Sequence, residues 1–284
     1  MSEIIEISTW EELLATEANK DYSWVGGSLD FNEISPNGFD STIRIPGRVD
    51  FNGATFFNFR SIALVALSYG TFSDNGRYWK NLTFQNIEHM PTGNSYGAFI
   101  APAPNFIENI VITGNIQCPQ NLTSRYSLIQ KYYGQGNNNR VSRLGTDIVF
   151  KGNCSFFLVN ESTTSDPSNT TRLPLFDSRI KLDLDYSSSK SPYFYNMYNC
   201  KISGKVKNNN TSATELTLNP YYCAISLESN KPINCPNLNL VRSDLATYTA
   251  NSRLVECEAP FYEYKDDIAD SGFPYNGAEW DGGD

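Results

Sequence analysis

Asp183 and Asp185, in the stretch Arg179-Ile-Lys-Leu-Asp-Leu-Asp-Tyr186, come nearest to a catalytic pair of any residues in this 284-residue chain. Leu182 and Leu184 alternate with them. A strand here turns the leucines to a core and both carboxylates to one outer face. Their Cα atoms are then roughly 6.7 Å apart, two strand rises. Carboxylates so placed suit the acid and base of an inverting glycosidase. Lys181 shares the face, however, and an ammonium beside a carboxyl opposes the raised pKa that a general acid needs. The competing reading is a solvated strand face whose charges discourage edge pairing.

Other searches for chemistry return less. His89, in Ile87-Glu-His-Met-Pro-Thr-Gly93, is the chain's one histidine and has no Ser or Cys nucleophile motif beside it, so a satisfied or surface role is expected. Tyr132-Tyr-Gly-Gln-Gly136 holds a Gly-x-Gly without the strand–turn–helix setting of a dinucleotide site. HExxH, P-loop and G-x-S-x-G patterns are absent. The six cysteines, Cys118, Cys154, Cys200, Cys223, Cys235 and Cys257, have no C-x-x-C spacing, so neither zinc nor any other cofactor is expected. Buried free thiols are the expected state, with a disulfide between neighbouring rungs as the alternative. Aromatics are plentiful, 17 Tyr and 17 Phe. In Ser191-Pro-Tyr-Phe-Tyr-Asn-Met-Tyr198, Tyr193 and Tyr195 share one strand face, and Phe194 and Tyr198 the other. With Tyr221 and Tyr222 they are candidate rings for a sugar or a protein surface, against ordinary core and rim roles.

Charge separates the chain into a nearly neutral body and an acidic tail. Net charge is −9, and Glu256 to Asp284 hold nine acidic residues against one lysine, net −8. The body offers no basic patch for nucleic acid. The tail reads either as a solvated end or as a docking arm, for which Phe273, Pro274, Tyr275 and Trp280 are the candidate contacts. The first residues, Met-Ser-Glu-Ile-Ile-Glu-Ile-Ser, lack a basic n-region, and the longest apolar run is Ile62 to Leu67. Neither a secretory signal nor a membrane span is expected. The N-x-[ST] sequons, Asn81-Leu-Thr83 among them, read as chance matches in an Asn-, Ser- and Thr-rich chain.

The elements behind these residues are short. Ile4, Ile5 and Ile7 predict a strand. Thr9 and Glu12 form a capping box for a helix with Trp10, Leu13, Leu14 and Ala18 on one face, ending near Ala18 or Asn19. Then strands dominate. Ser-Leu-Asp-Phe-Asn-Glu-Ile34 and Arg48-Val-Asp-Phe-Asn-Gly-Ala-Thr-Phe-Phe57 repeat an Asp-Phe-Asn step, read as strand and corner, with Asn52-Gly53 fitted to positive φ. Asparagine, 31 residues, favours such corners. Apolar strand starts at Leu82, Ile110, Ile148, Ile180, Ile202, Ile225 and Leu238 are spaced 28, 38, 32, 22, 23 and 13 residues apart. This loose period suits a three-sided parallel β-helix with variable corners, each coil burying its inward residues against its neighbours. An antiparallel sandwich or barrel is the competing arrangement. The polar stretches 160–171 and 207–214 are expected as exposed excursions. The domains are then residues 1–28, a strand and capping helix; 29–255, the all-β column; and 256–284, the tail.

The opening strand and helix, the Asp-Phe-Asn strands and the closing Tyr262-Glu-Tyr-Lys-Asp-Asp-Ile-Ala-Asp-Ser-Gly-Phe-Pro-Tyr-Asn276 together resemble the pectate-lyase-like right-handed parallel β-helix superfamily, and within it the virion-type proteins of bacteriophages and prophages. The resemblance implies a single-stranded right-handed solenoid. It implies a non-enzymatic capsid- or tail-attached component, partnered by virion proteins and host surface glycans and assembled in the bacterial cytoplasm. Trimeric association is common in such proteins. The superfamily also contains polysaccharide lyases and hydrolases, but their cluster of basic residues and acidic calcium ligands has no match here, so no catalytic residue is carried over. The carbohydrate-active alternative rests on acidic residues of the wall, Asp183 and Asp185 foremost.

Overall fold

The structure is a computed structural model. It describes residues 3–70, 77–93, 96–118, 125–132, 140–162, 170–171, 175–188, 194–198, 200–213, 216–221, 224–231, 233–234 and 254–257. The fold is all-β, and its strands pair almost entirely in parallel. In the large sheet one run of strands pairs successively along the chain. Ile4–Ile7 pairs with Asp21–Trp24, then come Arg48–Phe57, Tyr78–His89, Phe106–Gln117, Gly145–Gly152, Arg179–Tyr186, Lys201–Asn208 and Ala224–Ser229. Leu254–Cys257 closes this run in antiparallel sense and crosses the expected boundary at 255/256. A shorter run continues from the start of Phe106–Gln117 through Arg140–Ser142, Leu175–Phe176, Phe194–Tyr198, Leu216–Tyr221 and Ile233–Asn234. A second sheet joins Ile43–Arg44, Val65–Ser68, Tyr96–Ile100, Arg125–Tyr132 and Ser155–Ser162, also in parallel.

Register corrects the spacing read from the sequence. Leu82 faces Ile110, an offset of 28 as expected. Ile112 then faces Thr146, Thr146 faces Ile180, and Ile180 faces Ile202 and then Ile225, giving offsets of 34, 34, 22 and 23. The spacings 38 and 32 count from Ile148, which lies two residues past the position that stacks on Ile180. The position that stacks is Thr146, a buried residue whose hydroxyl donates to the Lys181 carbonyl at 3.2 Å. A threonine hides an inward position from a hydrophobic pattern.

Inward residues align along the sheet. Val49, Trp79, Ile107, Val141, Leu175 and Met197 are consecutive register partners, and all are buried. Phe31, Phe56, Phe59, Phe84 and Phe99 interlock by edge-to-face contacts 5.0–6.1 Å between centroids. Each buried phenyl contributes about 1.5–3 kcal/mol of transfer free energy. In the second sheet consecutive residues are buried, Tyr126 to Lys131 and Phe156 to Leu158, as in parallel sheets covered on both faces.

The expected capping box is present. The Thr9 hydroxyl accepts from the Glu12 amide at 3.2 Å, and the Glu12 carboxylate accepts from the Ser8 and Thr9 amides. The helix is shorter than expected, Trp10–Leu14, and Leu14 is exposed. Its buried face is Trp10 and Leu13, continued by Thr16, whose hydroxyl donates to the Leu13 carbonyl and accepts from the Gly47 amide. Asn19, at φ 69°, then turns the chain into the Asp21–Trp24 strand. Trp10 packs on Phe31, Phe39 and Phe56 and covers the first layer of the core.

Asparagine does occupy the corners. Asn52, Asn81 and Asn109 have φ near 50–60° and interrupt Arg48–Phe57, Tyr78–His89 and Phe106–Gln117 at corresponding positions. Their side chains chain together: Asn109 Nδ2 donates to Asn81 Oδ1 at 2.8 Å, Asn81 Nδ2 to Asp50 Oδ1 at 2.8 Å, and Asn52 Nδ2 to Ser23 Oγ at 2.8 Å. A second ladder runs from Asn86 to Asn58 at 2.7 Å and from Asn58 to Asp30 at 2.9 Å. The two Asp-Phe-Asn steps differ in backbone. After Leu29–Asp30 the chain makes a helical turn, Phe31–Ile34, with Asp30 as N-cap, not the expected strand and corner. What repeats is the aspartate. Asp30 and Asp50 each accept from the amide two residues on and from the asparagine of the next layer.

Candidate functional site

The strand Arg179–Tyr186 alternates as the sequence requires. Ile180, Leu182, Leu184 and Tyr186 are buried, while Asp183 is exposed and Asp185 half-buried on the outer face with Arg179 and Lys181. The neighbouring strands decide the chemistry of that face. Asp183 lies in register with Val149 on one side and Lys205 on the other, and Asp185 with Lys151 and Lys207. Lys207 Nζ stands 3.5 Å from Asp185 Oδ2, and Asn209 Nδ2 donates to Asp185 Oδ1 at 2.6 Å. Lys181 turns to Asp147 at 2.8 Å, and that hydrogen bond holds its ammonium above the usual lysine range. Lys205 meets Glu228 at 3.3 Å.

The result is a grid in which acids and lysines alternate from strand to strand. Each exposed pair contributes about 0–1 kcal/mol. Proton donation by a carboxylic acid near neutral pH calls for desolvation or a second carboxylate against it. Here the register neighbours of Asp183 are one valine and one lysine. The geometry therefore makes a charge-balanced wall, on a strand whose two edges are already paired.

The tyrosine candidates are brought together in part. Tyr198 and Tyr221 are register partners in adjacent parallel strands, and Tyr195 lies in the same Phe194–Tyr198 strand. Tyr193 and Tyr222 lie outside the described residues, as do Phe273, Pro274, Tyr275 and Trp280.

His89 is buried and satisfied. Its Nε2–H donates to the Ala63 carbonyl at 2.8 Å, and its Nδ1 lies 2.7 Å from the Tyr126 hydroxyl, which donates to it. That carbonyl can only accept, so the proton sits on Nε2. Burial lowers its pKa to about 4, against a smaller opposing effect of the Ala63 carbonyl. Burial likewise pushes the Tyr126 hydroxyl well above its usual range. The pair bridges 37 residues of sequence, so nothing local to His89 announces it.

Cys118, Cys154 and Cys200 are buried thiols. Burial, with Cys154 beside it, drives the Cys118 thiol far above the range in which a thiolate forms. Among the described residues no three His, Cys, Asp or Glu side chains gather as a metal site. None of the described helices is long and apolar enough to cross a membrane.

Three buried cations, Arg77, Arg125 and Lys131, were not anticipated from the sequence, and Arg125 lies over the Tyr96 ring at 5.8 Å. Arg77 lies over the Tyr69 ring at 4.9 Å, and the Lys131 ammonium donates to the Asn105 carbonyl. Polar residues continue the corners late in the chain. Asn208, expected in an exposed loop, is buried and ends a strand. Its amide side chain bonds both the amide and the carbonyl of Ser188, and the Asn230 side chain does the same to Asn208. No family model, curated protein or solved structure matches the chain.

Proposed function

We propose that the chain is a right-handed parallel β-helix acting as a non-enzymatic structural component of a bacteriophage particle. In this reading it is attached to capsid or tail and presents its wall to other virion proteins and to host surface glycans. The observation that carries the reading is the order of pairing. From Tyr78–His89 to Ala224–Ser229, each strand of the main run meets the next in parallel, 22 to 34 residues on in the register from Leu82 to Ile225. A parallel pair needs a long crossover, and here strands of the second sheet fall within several of those crossovers. Coils that stack in this way make a rigid column, because each layer lacks a core of its own and shares one with its neighbours.

The outer charge grid supports a structural role for the wall, since Asp147, Asp185 and Glu228 are engaged by lysines of adjacent strands. The acidic segment 256–284 is the proposed anchor. The test is copurification of the tagged chain with phage particles. A fixed number of copies per particle, lost on deletion of 256–284, is expected; free protein only, with particles complete without it, overturns the assignment.

A further inference from the structure

The large sheet differs in the sense of pairing at its two edges. Beyond Ala224–Ser229 its last strand is the antiparallel Leu254–Cys257. At the other edge, Ile4–Ile7 has Asp21–Trp24 as its single strand partner among the described residues. The Val25 amide donates to the Ile7 carbonyl at 2.8 Å. Ladder bonds alternate along a parallel strand, so Ile5 and Ile7 bond inward while Ile4 and Glu6 turn their N–H and C=O groups to the open side.

Apolar surface collects at this end. Ile4 is 64%, Val25 52%, Ile5 37% and Leu14 37% exposed, four of the seven exposed large hydrophobic residues among those described. The rim is acidic. Residues 1–20 hold five glutamates and one lysine, net −4, and all five glutamates are exposed. The lysine, Lys20, is already engaged by Glu17 at 2.7 Å.

We propose that this edge accepts an extended, lysine- or arginine-rich segment of another protein as an added strand. Main-chain bonds to Ile4 and Glu6 supply the pairing, and alternate side chains supply selectivity. A basic residue of the incoming strand falls beside Glu6 on the outer face, and an apolar one beside Ile5 on the core side. Charge excludes the nearer occupants. The chain's own segment 256–284 is net −8, and a second copy brings the same acidic edge. The inference goes beyond the particle assignment and fails independently of it, since it concerns the partner's chemistry and not its source.

The experiment uses the full chain and a fluorescein-labelled peptide of alternating lysine and valine, with a glutamate–valine peptide as control. Fluorescence anisotropy is expected to show the basic peptide binding at least about tenfold more tightly, which is about 1.4 kcal/mol. Amide exchange at Ile4 and Glu6 is expected to slow on binding. Glu6→Pro removes an edge donor while sparing the ladder to Asp21–Trp24, and is expected to abolish binding. The double variant Glu3→Lys/Glu6→Lys is expected to reverse the preference toward the acidic peptide, and it decides the matter should Glu6→Pro not fold. Absence of binding by the basic peptide, an unchanged preference in the double variant, or peptide-independent self-association lost in Glu6→Pro would each overturn the proposal.

Discussion

Replacing Asn81 separates two things the corner ladder does. Asn81 sits at φ 60°, donates to Asp50 at 2.8 Å and accepts from Asn109 at 2.8 Å. Asn81→Gly keeps the backbone free to hold that φ but removes both bonds. At about 0.5–1.5 kcal/mol each, reduced by the partial exposure of the site, the loss is about 1–2 kcal/mol. Asn81→Ala loses the same bonds and also puts a Cβ in the left-handed region, which costs a further ~1–2 kcal/mol. The alanine variant should therefore fall about 2–4 kcal/mol below wild type, and the glycine variant between the two. Urea unfolding followed by circular dichroism reads both differences, with the slope expected to stay constant. The acid limb gives a second readout. Burial alone would raise the Asp50 pKa, but the Asn81 side chain, the Asn52 amide and Lys80 together hold it below the usual carboxylate range. A depressed carboxylate pKa contributes stability that is present above its unfolded value and lost as pH falls through the folded one. Part of that acid sensitivity should disappear in both variants. Equal stability of the glycine and alanine variants would refute the argument from φ, and a loss under about 0.5 kcal/mol in both would refute the ladder as a source of stability.

Three further outcomes are expected. His89 is held near 4, below its unfolded value near 6.5, so the unfolded chain binds an extra proton between those limits; stability is full above pH 6.5 and falls by about 3 kcal/mol by pH 4, and His89→Phe should flatten this slope in denaturation curves taken across that window. Trp10→Ala opens the end of the core where three phenyl rings meet and should cost about 3–5 kcal/mol, visible as a lowered unfolding midpoint; a loss under 1 kcal/mol would show that the helix covers nothing essential. Asp183→Asn/Asp185→Asn should leave the release of reducing or unsaturated ends from a panel of bacterial polysaccharides unchanged at background and stability within about 1 kcal/mol; a parent activity lost in this variant would make the pair catalytic after all.

Local rules carried much of this protein in the text of the chain. The capping box at Thr9 and Glu12, the positive φ of Asn52-Gly53, and the alternation of Ile180, Leu182 and Leu184 with Lys181, Asp183 and Asp185 follow from neighbours two to four residues apart, and the structure has all of them. Three features were written in pairings the chain makes only when folded. Thr146 stacks between Ile112 and Ile180 because strand register, not hydrophobicity, selects the inward position. The lysines that meet Asp147 and Asp185 come from strands 34 and 22 residues away. His89 finds Tyr126 across 37 residues. A strand's alternation says which side chains share a face; the strand that comes to lie beside it decides what those side chains touch. The carboxylates of Asp183 and Asp185 were thus legible as a pair from sequence, and only the register made them members of a lysine-balanced wall.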